Sequence, residues 1–260
     1  MRCFVIGYPL NYTLSPIIHN AWYSAYRLKE YSFSAAKIDP KNLQLWLDKA
    51  RSDAHSISIT MPYKESILSL KRENDIIDEA VLYIGAANTV INLKGNFKYY
   101  NTDYYGIFKA LSKKINNLKN KNILIFGYGG AARAAIFALK ENKITICTRQ
   151  DKSQILDFDK YIICNYNDNF LYNILPTVDI IINSTPVAID MLIPKVSLKK
   201  DQVIFEMSYS NNDLFLPDNF VSPLEMLIYQ AIKQFKLYSN LEINENELYQ
   251  LAIEAIKSNK

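Results

Sequence analysis

Short apolar runs alternate with helix-period segments along most of the chain. Residues 2–7 (RCFVIG) form an apolar run followed by a helix from Pro16, and residues 31–38 a strand followed by a helix from Pro40. Ser56-Ile57-Ser58-Ile59-Thr60 alternates with the period of a strand, and Pro62 opens the next helix. This succession is that of an open α/β sheet. A hairpin is expected next, with residues 88–93 and 97–101 flanking Lys94-Gly95-Asn96 as its turn. Ile107, Leu111 and Ile115 then recur at helical spacing. From Lys121 a second alternation begins: strand 123–126, an alanine-rich helix from Gly130, strands at 144–148, 161–165, 178–183 and 202–207, and closing helices near 223–237 and 243–258. The pattern predicts two α/β domains with their boundary near Asn101 to Asp103.

Composition narrows the class. Of 260 residues 49% are hydrophobic and 22% charged, as in ordinary soluble globular proteins. No apolar run reaches the length that spans a bilayer, and the N-terminal run is too short for a signal peptide, so the expectation is a cytoplasmic protein without membrane contact. Cys3, Cys147 and Cys164 sit in apolar stretches without metal-ligand spacing and read as reduced core residues; no metal site is expected. The net charge of +4 comes from scattered Lys and Arg with no basic stripe, which speaks against a nucleic-acid partner and suits a small anionic ligand. Glycine is scarce: average usage implies roughly 18 in this length. The chain has 7, so each is expected to answer a backbone need.

Gly127-Tyr128-Gly129-Gly130-Ala131-Ala132 lies between an apolar strand and a helix, the context in which a G-x-G-x-x-A run binds a dinucleotide. Gly127 makes the tight turn, Gly129 lets a pyrophosphate approach the backbone, and Ala132 permits close helix packing. About twenty residues on, where an NAD enzyme carries an acidic residue, stand Thr148 and Arg149. A guanidinium there pairs with a 2′-phosphate, Lys152 adds charge, and the expected cofactor is NADP; Asp151 keeps NAD open as the alternative.

Ser15 and Pro16 read as N-cap and first residue of a helix, and Thr13 and Ser15 also offer two hydroxyls to a carboxylate. His19 and Asn20 are expected to support the fold, and His55 carries no sign of a site. Lys64 falls in the first turn after Pro62, where the helix dipole disfavours a cation and would lower its pKa. Asp103 opens another helix, either as its cap or as a chemical group, with Gly106 one turn on.

Taken in order, Thr13-Leu14-Ser15-Pro16, Thr60-Met61-Pro62-Tyr63-Lys64, Gly85 to Val90, Asn101-Thr102-Asp103, Gly127 to Arg133, Asn183-Ser184-Thr185-Pro186 and Met226 to Gln230 resemble the shikimate dehydrogenase family over nearly the whole chain. The resemblance implies an N-terminal α/β substrate domain of residues 1–102, to which the last helix returns with residues 238–260, a Rossmann-like NADP-binding domain of residues 103–237 across a cleft, and NADP-dependent interconversion of shikimate and 3-dehydroshikimate. Thr13 and Ser15 would hold the substrate carboxylate, and Thr60, Asn88, Asp103, Tyr209 and Gln230 the ring hydroxyls. Lys64 and Asp103 would be the catalytic pair, with Asp103 opposing the dipole's effect on the lysine. Gly127, Gly129, Gly130, Ala131, Ala132, Thr148, Arg149, Lys152, Ser184, Thr185 and Met226 would bind the cofactor, in a monomer or homodimer. The chain differs from the family at Tyr128, Thr148 and Ala188, and has Pro223 and Glu225 where the family has glycines. A quinate-accepting, NAD-using relative and a non-catalytic binder of ring acids are the alternatives.

Overall fold

Each of the two strand series closes into its own sheet in a computed structural model that describes residues 1–151, 155, 157–166, 169–192, 199, 201–207 and 219–259. Internal contacts divide the chain into one unit of Met1–Gly106 with Ile228–Lys260 and another of Ile107–Leu227. The chain runs β1 (Arg2–Gly7), α1 (Ser15–Ala25), β2 (Ser32–Lys37), α2 (Leu43–Asp53), β3 (Ala54–Ile59), α3 (Tyr63–Ser66), β4 (Ile76–Ile77), α4 (Glu79–Ile84), β5 (Thr89–Leu93), β6 (Asn96–Tyr100) and α5 (Asp103–Lys114). It continues with β7 (Asn122–Phe126), α6 (Gly130–Ala138), β8 (Lys143–Cys147), β9 (Ile162–Cys164), α7 (Asn169–Ile174), β10 (Ile180–Asn183), α8 (Ile189–Leu192), β11 (Val203–Glu206), β12 (Phe220–Val221), α9 (Pro223–Ser239) and α10 (Glu245–Ser258).

Among the described residues the first unit's sheet has the order β2-β1-β3-β5-β6-β4. β1 pairs in parallel with β2 and β3, whereas β5 runs antiparallel to both β3 and β6. Because the chain passes from β1 to β2 on one side and returns to β3 on the other, the connections diverge at the C-terminal ends of β1 and β3. That crevice is where open α/β sheets bind ligands. The hairpin turn is one residue shorter than expected: Asn96 is already in β6, leaving Lys94 and Gly95, both at positive φ (55° and 95°), as a two-residue turn that matches strand twist. Nothing in the hydrophobic pattern signals β4, α4, α7, α8 or β12, each of which has six residues or fewer, too few to display a period.

The second sheet, among the described residues, has the order β12-β11-β10-β7-β8-β9 with parallel pairings throughout. Counted from β7 this is the strand order 3-2-1-4-5-6, whose crevice lies beyond the ends of β7 and β10. Its strands are buried on both faces, which is why they read as continuous apolar runs. Cys147 and Cys164 are buried within it, and Cys3 in the first sheet.

Two features lock the first unit. Arg51 on α2 reaches Asp75 with both guanidinium nitrogens (2.8 and 2.7 Å) and lies 4.0 Å from the Phe97 ring centroid. Burial raises the Asp75 pKa, but Arg51 and the N–H groups of Arg72 and Phe97 outweigh it and bring the value down to about 2. Removing one partner of such a buried pair costs about 3–5 kcal/mol. The second feature is an aromatic cluster around His19, which stacks on Phe33 at 4.3 Å and meets Trp22 edge-on at 5.2 Å. Trp22 Nε1 donates to the Leu248 carbonyl (2.8 Å), fastening α10 to α1. Asn20 supports the same region by bonding the Phe33 carbonyl and N–H (2.8 and 2.9 Å).

His19 is fully buried, and desolvation lowers its pKa from 6.5 to about 3 against a smaller opposing contribution from Gln234. Between those values the unfolded chain binds a proton that the folded chain refuses, so this contribution to stability is complete above pH 6.5 and is lost as the pH falls. Denaturant titrations at fixed ionic strength should therefore show stability declining below about pH 6.5. His19→Phe should flatten that decline; an unchanged slope in the variant would assign it to other groups.

Candidate active site

The crevice at the ends of β1 and β3 is shaped by one close approach. A Cβ on Gly7 would stand 2.6 Å from Thr60 Cγ2 and 3.0 Å from the Met61 carbonyl oxygen, so only glycine lets the two strand ends pass. The Thr60 N–H donates to Ile6 O (2.9 Å), and Thr60 O accepts from the Tyr63 N–H (3.0 Å), so Thr60 leads directly into α3. Lys64 follows, with its carbonyl oxygen accepting from the Ala87 N–H (2.7 Å). The predicted dipole effect on Lys64 has little to act through, because α3 is a single turn that tightens into a 3₁₀ turn at Ile67–Leu70. The charge that faces Lys64 is instead the Asp103 carboxylate, 2.7 Å from Nζ to Oδ2, with the lysine side chain 28% exposed and the aspartate 5%.

Asp103 is not a cap. Its own N–H donates to Asn101 Oδ1 (3.0 Å), while its carboxylate takes Lys64 on Oδ2 and Asn88 Nδ2 (2.8 Å) on Oδ1. The orientation of the Asn88 amide follows from a backbone donor: the Thr102 N–H points at Asn88 Oδ1 (2.7 Å), which leaves Nδ2 for Asp103. Asn88 Nδ2 also lies 3.2 Å from Gln230 Oε1 and 2.9 Å from Thr102 Oγ1. Lys64, Asn88, Asp103 and Gln230 thus form one bonded cluster. Thr102 belongs to it too, through both its N–H and its hydroxyl, and sequence reasoning passed it over although it lies inside the Asn101-Thr102-Asp103 motif.

Thr13 and Ser15 form a second polar group, with Thr13 Oγ1 accepting from the Ser15 N–H and lying 3.3 Å from Ser15 Oγ. The expected N-cap role of Ser15 does not hold: the helix starts one residue earlier, with Leu14 as the cap without a side-chain bond and its carbonyl accepting from the Ile18 N–H (3.0 Å). His55 Nε2 lies 2.7 Å from the Tyr238 carbonyl oxygen, a structural contact. Tyr209 and Lys152 lie outside the described residues.

In the second unit the glycine-rich turn has the shape a dinucleotide needs. Gly127 has φ of +96°, and a Cβ on it would meet Ser184 Oγ at 2.6 Å, so glycine is required both by conformation and by the neighbouring β10 end. Gly129 has nothing within 4 Å of a would-be Cβ, which leaves the backbone open to a ligand. No side chain caps α6 and its first turn has no acid, so its N-terminus suits a pyrophosphate. Ala132 is fully buried under the helix. Ser184 Oγ donates to Phe126 O (2.6 Å), and Thr185 Oγ1 to Asn183 Oδ1 (2.8 Å), holding those residues beside the turn. Thr148 is buried with Oγ1 accepting from the Gln150 N–H (3.2 Å), and Arg149 beside it is exposed. Tyr128 is buried, with Arg133 Nη1 on its carbonyl oxygen (3.1 Å) and the guanidinium 5.7 Å from its ring centroid. Met226 lies half-buried in the first turn of α9, next to Glu225, which pairs with Lys113 (2.9 Å).

A family model for the shikimate dehydrogenase substrate binding domain matches residues 5–90. The shikimate dehydrogenase (NADP(+)) of Methanocaldococcus jannaschii is 33% identical over 92% of this chain and 92% of its own length. A crystal structure of a shikimate dehydrogenase in complex with NADP+ is similar with a TM-score of 0.83 and 30% identity, covering 97% of this chain and 94% of the other. The crystal structure of the Aquifex aeolicus shikimate dehydrogenase gives 0.84 and 29%, covering 98% and 97%.

Arg149, exposed just after β8, is the residue that the sequence offers to a 2′-phosphate. Arg149→Ala should weaken binding of a 2′-phosphorylated dinucleotide about tenfold or more, the worth of a lost charge-assisted bond, and leave its unphosphorylated counterpart within about twofold. Calorimetric titration with both decides this, and equal losses would remove Arg149 from cofactor selection.

Proposed function

This chain belongs to the shikimate dehydrogenase family, and we propose that Lys64 and Asp103 are its proton-handling pair. The activity is the reversible, NADP-dependent reduction of 3-dehydroshikimate to shikimate. We assign substrate binding to the unit of Met1–Gly106 with Ile228–Lys260, and dinucleotide binding to Ile107–Leu227. The observation that carries the catalytic assignment is the 2.7 Å contact of Lys64 Nζ with Asp103 Oδ2, inside a cluster that also contains Asn88 and Gln230.

The ion pair describes the form ready for reduction. Charged Lys64 donates from Nζ to the C3 carbonyl oxygen of 3-dehydroshikimate, and the Asp103 carboxylate keeps that nitrogen in place while its proton leaves. At 28% exposure Lys64 regains a proton from water. In the oxidising direction the neutral amine takes the proton of the C3 hydroxyl. Bound NADP supplies the hydride chemistry at C3. Thr13 and Ser15 hold the substrate carboxylate with their paired hydroxyls, and Thr60, Asn88, Asp103, Tyr209 and Gln230 fix the ring hydroxyls. Gly127, Gly129, Gly130, Ala131 and Ala132 would hold the cofactor's pyrophosphate, with Thr148, Arg149 and Lys152 as the candidates for its 2′-phosphate and Ser184, Thr185 and Met226 for its remaining contacts. The assignment extends to a cytoplasmic monomer or homodimer; among the described residues no helix is long and apolar enough to cross a membrane.

Purified protein given shikimate and NADP should develop the absorbance of reduced nicotinamide. Crossing shikimate and quinate with NADP and NAD tests the substrate reading: preference for quinate with NAD, or no turnover in any combination, would overturn it. Lys64→Met should lower kcat about a hundredfold or more and change KM far less, as for a group acting mainly in the transition state. An equal loss in both would make Lys64 a binding residue.

A further inference from the structure

Gln230 and Gln234 are one helical turn apart on α9, and Tyr238 one turn further, so the three lie in a single stripe. All are buried, as are Ser58, Asn88 and Thr89. The hydrogen bonds among them have a fixed direction. Ser58 Oγ donates to Gln234 Oε1 (3.1 Å), and since that spends its one proton, Tyr238, whose hydroxyl is 2.8 Å from Ser58 Oγ, must donate to it. With Oε1 so occupied, Gln234 Nε2 donates to Thr89 Oγ1 (2.9 Å). Thr89 then turns its own proton to Asn88 Oδ1 (2.7 Å), and Asn88 Nδ2 donates to Asp103 Oδ1 (2.8 Å). Asp103 Oδ2 ends the series on Lys64 Nζ.

We propose that Gln234 is a positioning residue for the reaction, setting through Thr89 the polarisation of Asn88, whose orientation the Thr102 N–H fixes, and through Asn88 the carboxylate that holds Lys64. Reversal of the Gln234 amide would break this series. Turned over, Gln234 would present an oxygen to Thr89 Oγ1, the threonine proton would go to it, and Asn88 Oδ1 would lose one of its donors. In a low-dielectric interior each donor in such a chain strengthens the next. The same bonds also cement α9 to the sheet, so a purely structural role makes a different prediction. It would lower stability and leave turnover per folded molecule unchanged.

The inference rests on the proton-handling reading of Lys64 and Asp103, so Lys64→Met is measured beside it. Gln234→Met keeps the length and volume of the side chain and removes both amide functions. Thr89→Val keeps the β-branched shape, and Thr89→Ser keeps the hydroxyl. Gln234→Met and Thr89→Val should each lower kcat for shikimate oxidation about tenfold with KM changed less than about threefold, the pair together should be no worse than either alone, and Thr89→Ser should retain wild-type kcat. Thr89→Val carries the test by itself should Gln234→Met not fold. A kcat within about twofold of wild type in the folded variants, or a Thr89→Ser as impaired as Thr89→Val, overturns the proposal. If Lys64→Met keeps its turnover, the pair assignment fails instead; if Lys64→Met is dead and the relay variants are not, the relay alone fails.

Discussion

The Asp103 carboxylate is held on both oxygens, by Lys64 Nζ on one and Asn88 Nδ2 on the other, and the site depends on that grip. A carboxylate only 5% exposed is costly unless it is paired and its remaining lone pairs are met, and both conditions are satisfied here. The groups that satisfy them come from far apart in sequence. Lys64 stands on a one-turn helix after β3, Asn88 immediately before β5, Asp103 at the first residue of α5 and Gln230 on α9. Each is anchored by backbone bonds as well as side-chain ones. Ala87 donates to the Lys64 carbonyl, Asn88 O accepts from Ile59 (2.7 Å), and the Asn88 N–H reaches Tyr100 O (3.1 Å). Sheet pairing therefore positions the chemistry, and the side chains inherit their places from it.

Each of the two sheets, taken by itself, carries its candidate residues at strand ends where chain direction reverses. In the first, Thr60 and Lys64 follow β3 where it neighbours β1; in the second, Gly127 follows β7 and Ser184 follows β10. At both places a glycine lies against a hydroxyl-bearing residue of the neighbouring strand, with a would-be Cβ 2.6 Å from Thr60 Cγ2 and from Ser184 Oγ. In a chain so poor in glycine, those two positions are held by contact distance. Substitution at either would push the neighbouring candidate residue, Thr60 or Ser184, aside even if the strands themselves survived.

Sequence reading reached the long elements and most of the polar residues that now lie together, because strand alternation, helix period and ordered motifs are local signals. It missed what depends on partners. Thr102 acts through its N–H and its hydroxyl on Asn88 and Gln230, partners that only the fold brings to it. Gln234 is distinguishable only as the neighbour, one turn on, of Gln230, and its bonds to Ser58 and Thr89 require the fold. The dipole argument for Lys64 failed for the same reason: Pro62 announces a helix start without saying that the helix lasts a single turn. Ser15 was mistaken for a cap because a Ser-Pro pair looks alike whether the proline falls at the first or the second helical position, and here the helix begins one residue earlier.

The positions where this chain differs from its family become intelligible once their local roles are seen. Tyr128 brings bulk into a phosphate loop, but the side chain is buried with Arg133 over its ring, so the bulk is turned inward. Pro223 and Glu225 replace glycines with residues that build a helix start. Ser222 Oγ accepts from the Leu224 N–H (3.2 Å), Pro223 takes the first position, where a missing N–H costs nothing, and Glu225 falls at the third, where an acid favours the helix dipole. That same acid would oppose an anionic dinucleotide if left as net charge. Lys113, 39% exposed, cancels it at 2.9 Å, a pair of the exposed kind worth about 1 kcal/mol or less in stability. Its contribution lies in the field it removes more than in the bond it makes, since it neutralises the Glu225 charge in the first turn of α9.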